Sequence, residues 1–284
     1  MFKAEEETSP HKIYEVKMVK IIVAGAAGRM GIRIINIINE TEGVTLAGAF
    51  EHPENPMVGQ DAGMVAGMGE KGIKISGSLD KIIDSGDVII DFTVPAATMS
   101  NVQKAASAGK AVVIGTTGIA EDEQKKISEA AKNIPLVMAP NMSVGVNVMF
   151  KIAAEMARIL GSDYDIEIVE AHHRLKKDAP SGTAIGLAKK LAEATERDLE
   201  KTAVYSRHGI IGQRTDEEIG IQTVRAGDIT GDHTVLFGGI GERLELTHRA
   251  HNRDNFAKGA VRAAKWIAGK GSGLYDMQDV LGLK

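Results

Sequence analysis

Between residues 170 and 183 the chain reads Glu170-Ala171-His172-His173-Arg174-Leu175-Lys176-Lys177-Asp178-Ala179-Pro180-Ser181-Gly182-Thr183, its densest run of reactive side chains. Two histidines, an arginine and two lysines crowd a segment leaving a strand, and Ser-Gly-Thr opens the helical pattern that follows. The first turn of a helix offers unpaired N–H groups to an anion, and hydroxyls there add donors. Basic side chains beside it would make charge-assisted hydrogen bonds to carboxylates. Histidine and lysine can also give a proton to a carbon–nitrogen double bond as it is reduced. Each residue alone would suit a solvated basic loop with a serine cap; together they point to a site for an anionic substrate. His172 and Lys176 stand close in sequence, so like-charge repulsion would favour one of them losing its proton.

A second cluster lies nearer the amino terminus. After the apolar run Val19–Ala24 come Gly25, Ala26, Ala27, Gly28, Arg29, Met30 and Gly31. Glycines at such a turn let the backbone approach a pyrophosphate, which then rests on the free N–H groups of the following helix. Ala27 stands where the G-x-G-x-x-G fingerprint has glycine, so a methyl group limits how closely phosphates approach. Glu51 closes the second strand about 20 residues beyond the turn, the distance at which an acid meets the ribose hydroxyls. Gly115, Thr116, Thr117 and Gly118 follow another strand, at the edge where such ligands lie. A plain turn would explain each glycine cluster singly. Strand, turn, helix, strand and acid in series indicate a dinucleotide site.

The elements that must carry these clusters show in the hydrophobic pattern. Residues 30–38 put Ile32, Ile34, Ile35, Ile37 and Ile38 on one helical face, and Val44–Phe50 reads as a strand. Residues 87–92, 111–115 and 135–139 are further apolar strands, separated by helical stretches at 96–108 and 121–132. Strands apolar on both faces and spaced by helices predict a doubly wound α/β domain of Rossmann type, built on a parallel sheet. The rhythm then changes. A helix over Val144–Leu160 precedes an alternating strand at 164–170, with Tyr164, Ile166 and Ile168 on one face, and a helix at 183–194. Three strands in succession (220–225, 233–237, 242–248) predict an α+β domain with an antiparallel or mixed sheet, before a last helix at 255–268.

Bulk properties narrow the functional classes. A net charge of −4 opposes general nucleic-acid or membrane-surface binding. The absence of cysteine excludes disulfides, thiolate zinc sites and cysteine nucleophiles. No apolar stretch is long enough to span a bilayer. Residues 1–17 lack the apolar region of a signal peptide and read as a disordered tail, so a cytoplasmic protein is expected. The H-E-x-x-H spacing is missing, and no metal site is expected. His208, His233, His248 and His251 are scattered and read as surface or core residues; Met57, Met64 and Met68 lie in a glycine-rich stretch that reads as a mobile loop. The residues alone leave three readings open: a reductase of an anionic imine, an amino-acid or semialdehyde dehydrogenase of similar build, and a nicotinamide-binding sensor without turnover.

The chain also resembles the 4-hydroxy-tetrahydrodipicolinate reductase (dihydrodipicolinate reductase) family of lysine and diaminopimelate biosynthesis. The likeness runs over residues 19 to 283 and rests on GAAGRMG (25–31), DFTVP (91–95), GTTG (115–118), APNMSVGVN (139–147), EAHHRLKKDAPSGTA (170–184), FGGIGERLELTHRA (237–250) and GLYDMQDVL (273–281). The resemblance implies a homotetramer that reduces a cyclic unsaturated imine dicarboxylate to tetrahydrodipicolinate with NADH or NADPH. It makes His172 the acid–base residue and Lys176 the proton donor. His173, Gly182 and Thr183 become contacts to the substrate carboxylates. Cofactor contacts fall on Gly25, Ala26, Ala27, Gly28, Arg29, Met30, Glu51, Gly115, Thr116, Thr117, Ala139, Pro140, Asn141 and Met142. His52 occupies the position of a basic residue that, in many members, receives the 2′-phosphate of NADPH. The family pattern returns the last helix to the first domain, which would then comprise residues 18–142 and 253–284, around a substrate and oligomerisation domain at 143–252.

Overall fold

The first sheet of the computed structural model grows from β1 (Val19–Ala24), where Ile21, Ile22, Val23 and Ala24 are fully buried because helices cover both faces. Residues 18–284 are described; the tail expected over residues 1–17 lies outside them. The chain continues through α1 (Arg29–Glu40), β2 (Val44–Phe50), α2 (Ala62–Val65), β3 (Ile75–Ser76), β4 (Val88–Asp91), α3 (Pro95–Ser107), β5 (Ala111–Ile114), α4 (Glu121–Ala130) and β6 (Pro135–Met138). Then come α5 (Val144–Leu160), β7 (Asp165–His172), α6 (Gly182–Ala194), α7 (Leu199–Thr202), β8 (Ala203–Val204), β9 (Ile219–Arg225), β10 (Gly231–Gly238), β11 (Arg243–Ala250), α8 (Asp254–Ile267), β12 (Gly273–Tyr275) and α9 (Met277–Leu281).

Seven strands pair in parallel in the order β12-β6-β5-β4-β1-β2-β3. Strand order reverses at β1 and β4, and ligands of such sheets bind in the crevice at the carboxyl ends of those strands. On one face, Ile34, Ile35, Ile37 and Ile38 of α1 share a core with Ala257, Ala260, Ala264 and Ile267 of α8. Each buried isoleucine contributes roughly 1.5–3 kcal/mol, and the alanines let α8 lie close. Arg33 grips Asp254 through two bonds of 2.5 Å, which pins the start of α8 to α1. The other face is covered through Val102, Ala105 and Ile127 of α3 and α4. The glycine-rich stretch around Met64 forms α2 and β3. Asp61 staples it by accepting the N–H groups of Gly63, Met64, Lys71 and Ile73, while Met57 and Met68 pack on the core.

The second sheet has the order β11-β10-β7-β9-β8 and is mixed: β10 is antiparallel to β7 and β11, whereas β7, β9 and β8 run parallel. The three late strands are therefore not a simple succession, because β7 inserts between β9 and β10. α5 and α6 bury one face around Ile166, Ile168, Ile221, Val235 and Phe237. The opposite face stays partly open at Val169 and Leu236, and Val224 is 43% exposed. One boundary differs from the sequence reading in a way that matters. β7 does not stop at residue 170 but runs to His172, so Ile166, Ile168, Glu170 and His172 form one buried face. His172 belongs to the strand end and not to the loop. Hydrophobic alternation ended two residues early because the buried face turns polar there.

Candidate active site

A cavity of about 750 Å³ opens between the two sheets. Arg29, Met30, Phe92, Gly115, Thr117, Pro140, Asn141 and Met142 line it from one side; His172, His173, Lys176, Ser181, Gly182, Thr183, His233 and His248 line it from the other. The two clusters separated in sequence thus face one space. Gly25, Ala26, Ala27, Gly28, Glu51, Thr116 and Ala139 are not in its wall.

On the nucleotide side the turn after β1 is held by Gly25 at φ +64° and by the Gly28 N–H, which donates to the Gly25 carbonyl at 2.9 Å. A side chain at Gly31 would run into that same carbonyl, so only glycine lets α1 pack on the turn. Among the described residues no side chain caps α1, and its first turn carries no acid. Its leading N–H groups suit a pyrophosphate. Glu51 accepts the Ala27 N–H at 3.2 Å and the His52 N–H at 3.0 Å, so its carboxylate sits against the turn. Thr116 is buried and turned inward. With Thr93, Thr98 and Asn101 it surrounds the buried Asp91 carboxylate, tying the ends of β4 and β5 together. A side chain at Gly115 would strike the Phe92 ring, which borders the cavity.

On the other side the centre is Glu170, which is 0% exposed. Arg225 donates to both its oxygens at 2.9 Å, the Ser181 N–H reaches it at 3.0 Å, and Thr223 Oγ1 at 3.2 Å. Burial pushes the carboxyl up, but the bonds from Arg225, His172 and Ser181 prevail and hold it at about 2. His172 Nδ1 lies 2.6 Å from Glu170. Against an ionised carboxylate Nδ1 must carry the proton, which leaves Nε2 for the cavity. Burial lowers the pKa of His172, the Glu170 carboxylate opposes this, and Lys176 and Arg225 lower it further; the net shift is downward. Gly231 leaves room at Nε2: an added side-chain carbon would sit 3.0 Å from it.

Three further features make this wall ready for an anion. Ser181 caps α6, accepting the Ala184 N–H at 3.2 Å, and its hydroxyl also lies 3.0 Å from Nε2 of His233. His233 is buried, its rings 5.1 Å from those of His172 and its pKa pushed down to about 3 mainly by that burial. A side chain at Gly182 would meet only open space, so the glycine leaves the helix start bare. His173 lines the cavity, and its Nδ1 is buried without a partner among the described residues. Lys176 Nζ sits 2.9 Å from Asp178, a counter-charge the like-charge argument from sequence did not include. Among the described residues no group of three or more His, Asp or Glu side chains is placed to hold a metal ion.

Sequence reasoning missed Glu170, Arg225 and His233 as parts of the site. Glu170 was within reach, since it continues the alternation of Ile166 and Ile168. Arg225 and His233 were not, because they join only through strand pairing, opposite His172 and Glu170 respectively.

A bare helix start on a doubly wound sheet, facing a second helix start flanked by lysine and histidine, defines a dinucleotide-dependent reductase of an anionic substrate. The chain belongs to the dihydrodipicolinate reductase family. Models of the N-terminus and the C-terminus of dihydrodipicolinate reductase match residues 19–142 and 145–281. The 4-hydroxy-tetrahydrodipicolinate reductases of Citrifermentans bemidjiense and Syntrophotalea carbinolica are each 57% identical to it, over 94% of this chain and 100% of theirs. The fold is similar to dipicolinate-bound dihydrodipicolinate reductase from Paenisporosarcina sp. TG-14, with a TM-score of 0.72 at 23% identity over 92% of this chain and 98% of that one. The chain is an NAD(P)H-dependent oxidoreductase of lysine and diaminopimelate biosynthesis.

Proposed function

We propose that the cavity binds a cyclic unsaturated imine dicarboxylate, 4-hydroxy-tetrahydrodipicolinate or its dehydrated form, and reduces it to tetrahydrodipicolinate, the 4-hydroxyl leaving as water where it is still present. The observation that carries this reading is the shared cavity, with the start of α6, Lys176 and His172 facing the start of α1 and the carboxyl ends of β4, β5 and β6. The turn at Gly25, Ala26, Ala27, Gly28, Arg29 and Met30 would hold the pyrophosphate and Glu51 the ribose. Gly115, Thr117 and residues 139–142 would flank the nicotinamide, with Thr116 bracing that edge from inside. When bound, the reduced cofactor supplies a hydride, and the protein must then deliver one proton.

Lys176 suits that task, because an ammonium has protons to give and Asp178 holds it at the cavity wall. His172, with Nδ1–H committed to Glu170, presents Nε2 as an acceptor. On this reading it orients the substrate by accepting a hydrogen bond, and Lys176 is the donor. The N–H groups of α6, with Ser181, Thr183 and His173, receive the carboxylates. A positioned acid contributes about 10²–10⁴-fold to such a step.

Two wider features complete the reading. Residues 18–142 with 253–284 act as the nucleotide domain, supported by the pairing of β12 with β6 and the packing of α8 under the same sheet. Residues 143–252 act as the substrate domain, and its half-open sheet face suits self-association into a homotetramer working in the cytoplasm. Among the described residues no helix is long and apolar enough to cross a membrane. The test is oxidation of NADH or NADPH by the imine dicarboxylate set against reduction of NAD+ or NADP+ by homoserine and aspartate, together with light scattering for the assembly. Turnover of homoserine or aspartate in place of the imine would overturn the substrate, and a monomer the assembly.

A further inference from the structure

The segment between β6 and α5 crosses from the first sheet to the second, and Asn141 stands in it. Its side-chain oxygen accepts the Ser143 N–H at 2.8 Å. That bond decides which end of the amide is which, since an N–H cannot face another donor. The amide nitrogen must therefore lie on the far side, 2.9 Å from Thr183 Oγ1. Asn147 locks the backbone of the same segment: its Nδ2 donates to the carbonyls of Asn141 at 2.9 Å and of Ser143 at 2.8 Å. Asn147 is itself buried in α5. Thr183 consequently accepts from Asn141, and among the described residues nothing takes its own hydroxyl proton. Thr183 follows Gly182 in the first turn of α6, in the cavity wall.

We infer that Asn141 is a positioning residue that turns the Thr183 hydroxyl into a one-way donor aimed at a substrate carboxylate. A hydroxyl can give or accept, and an anion gains only from one that gives. Asn141 removes the ambiguity before the ligand arrives, and does so from the segment that also borders the nucleotide side. The inference rests on the reading that Thr183 meets a carboxylate of the substrate.

Asn141→Asp reverses the polarity at nearly constant shape. One carboxylate oxygen can keep the Ser143 N–H, while the other takes the Thr183 proton, so the substrate carboxylate meets a lone pair. Losing a hydrogen bond to a charged group costs roughly 10–100-fold in affinity. The experiment measures the inhibition constant of dipicolinate at saturating NADH in wild type, Asn141→Asp, Thr183→Val and the double variant. Thr183→Val and Asn141→Asp should each weaken inhibition, and the double variant should be no weaker than Thr183→Val alone, because no hydroxyl remains to be misdirected. If the aspartate weakens inhibition equally in the valine background, it acts by repelling the dianion and the positioning role falls. Undiminished inhibition in Asn141→Asp, with Thr183→Val weakened, overturns the role of Asn141 alone. Unchanged inhibition in Thr183→Val overturns the carboxylate reading beneath it. Should Asn141→Asp fail to fold, Asn141→Ala frees the hydroxyl to rotate, and its smaller loss must likewise vanish in the Thr183→Val background.

Discussion

Glu170→Gln keeps the shape of a buried side chain, removes one charge and strikes several partners together. The carboxyl sits at about 2 in place of the ordinary 4.5. That difference corresponds to about 3 kcal/mol in favour of the ionised form. Glutamine forfeits it and leaves Arg225, whose side chain is 19% exposed, against a neutral amide. Breaking a buried pair from one side costs about 3–5 kcal/mol, so the melting temperature should fall by roughly 10 °C. A depressed carboxyl stabilises the fold above its unfolded pKa and loses that contribution as the pH drops through the folded value. The stability gap between wild type and variant should therefore close on acidification from about 4.5 toward about 2. Chemistry should suffer separately. The new amide can donate to His172 Nδ1, which moves the ring proton to Nε2 and turns the cavity-facing acceptor into a donor. A misplaced tautomer should lower kcat by roughly 10²–10⁴-fold. Thermal denaturation followed by circular dichroism reads the first effect, and loss of reduced-nicotinamide absorbance at saturating substrate reads the second. An unchanged melting temperature would refute the buried ion pair. A destabilised variant with normal kcat would refute the tautomer argument and leave Glu170 purely structural.

The remaining predictions divide between the two walls. Lys176→Ala should lower kcat by roughly 10²–10⁴-fold in steady-state assays, and a loss confined to KM would demote Lys176 to a carboxylate anchor; combined with His172→Ala it should lose less than the product of the single effects if the two act together. Gly28→Val should abolish NADH binding in calorimetry with the fold retained, because its side-chain carbon need only clear the Gly25 carbonyl, 3.1 Å away. Gly31→Ala, which collides with that backbone, should instead lower the melting temperature. NADH should serve at least as well as NADPH, since the Glu51 carboxylate beside the turn would repel a 2′-phosphate; Glu51→Ala should raise the NADPH-to-NADH ratio of kcat/KM, and an unchanged ratio would place the phosphate elsewhere.

What could be read from the sequence was what the chain decides locally. The turn after β1 was legible because its glycines, strand and helix are contiguous, and β1, β4 and β5 because burial on both faces gives each a run of three or four consecutive apolar residues. β3, β8 and β12 were not, since two or three residues cannot show a period. α9 was missed for a similar reason: five residues held by the reciprocal Asp276–Asp279 cap carry no amphipathic stripe to detect. The motif from Glu170 to Thr183 announced a site for an anion but not its internal wiring. Arg225 reaches Glu170 because β9 lies parallel to β7, and His233 because β10 lies antiparallel on the other side. Neither pairing is encoded within the motif, and the order of strands that creates both is a property of the whole sheet.

That wiring bears on how a dianion is recognised. The motif is rich in cations, yet the structure offsets much of that charge. Arg225 is matched by Glu170, Lys176 by Asp178, and burial drives His172 and His233 toward their neutral forms. A wall of uncompensated cations would bind any dicarboxylate and would hold a dicarboxylate product as firmly as the substrate. The balanced arrangement leaves recognition to groups with direction: the first N–H groups of α6 and the Ser181 and Thr183 hydroxyls. Directional donors reward an anion only at the right distance and angle, so on this reading the site selects by geometry what it does not attract by charge alone. Lys176 is the informative exception, because Asp178 is 60% exposed and the ion pair lies at the wall where an arriving carboxylate can compete for the ammonium. Exchange of Asp178 for the substrate would bring the donor proton to the substrate in the same movement that binds it. Asp178→Asn should then strengthen dipicolinate inhibition, since the competitor is gone, while a weaker inhibition would show that Asp178 holds Lys176 in place for the substrate.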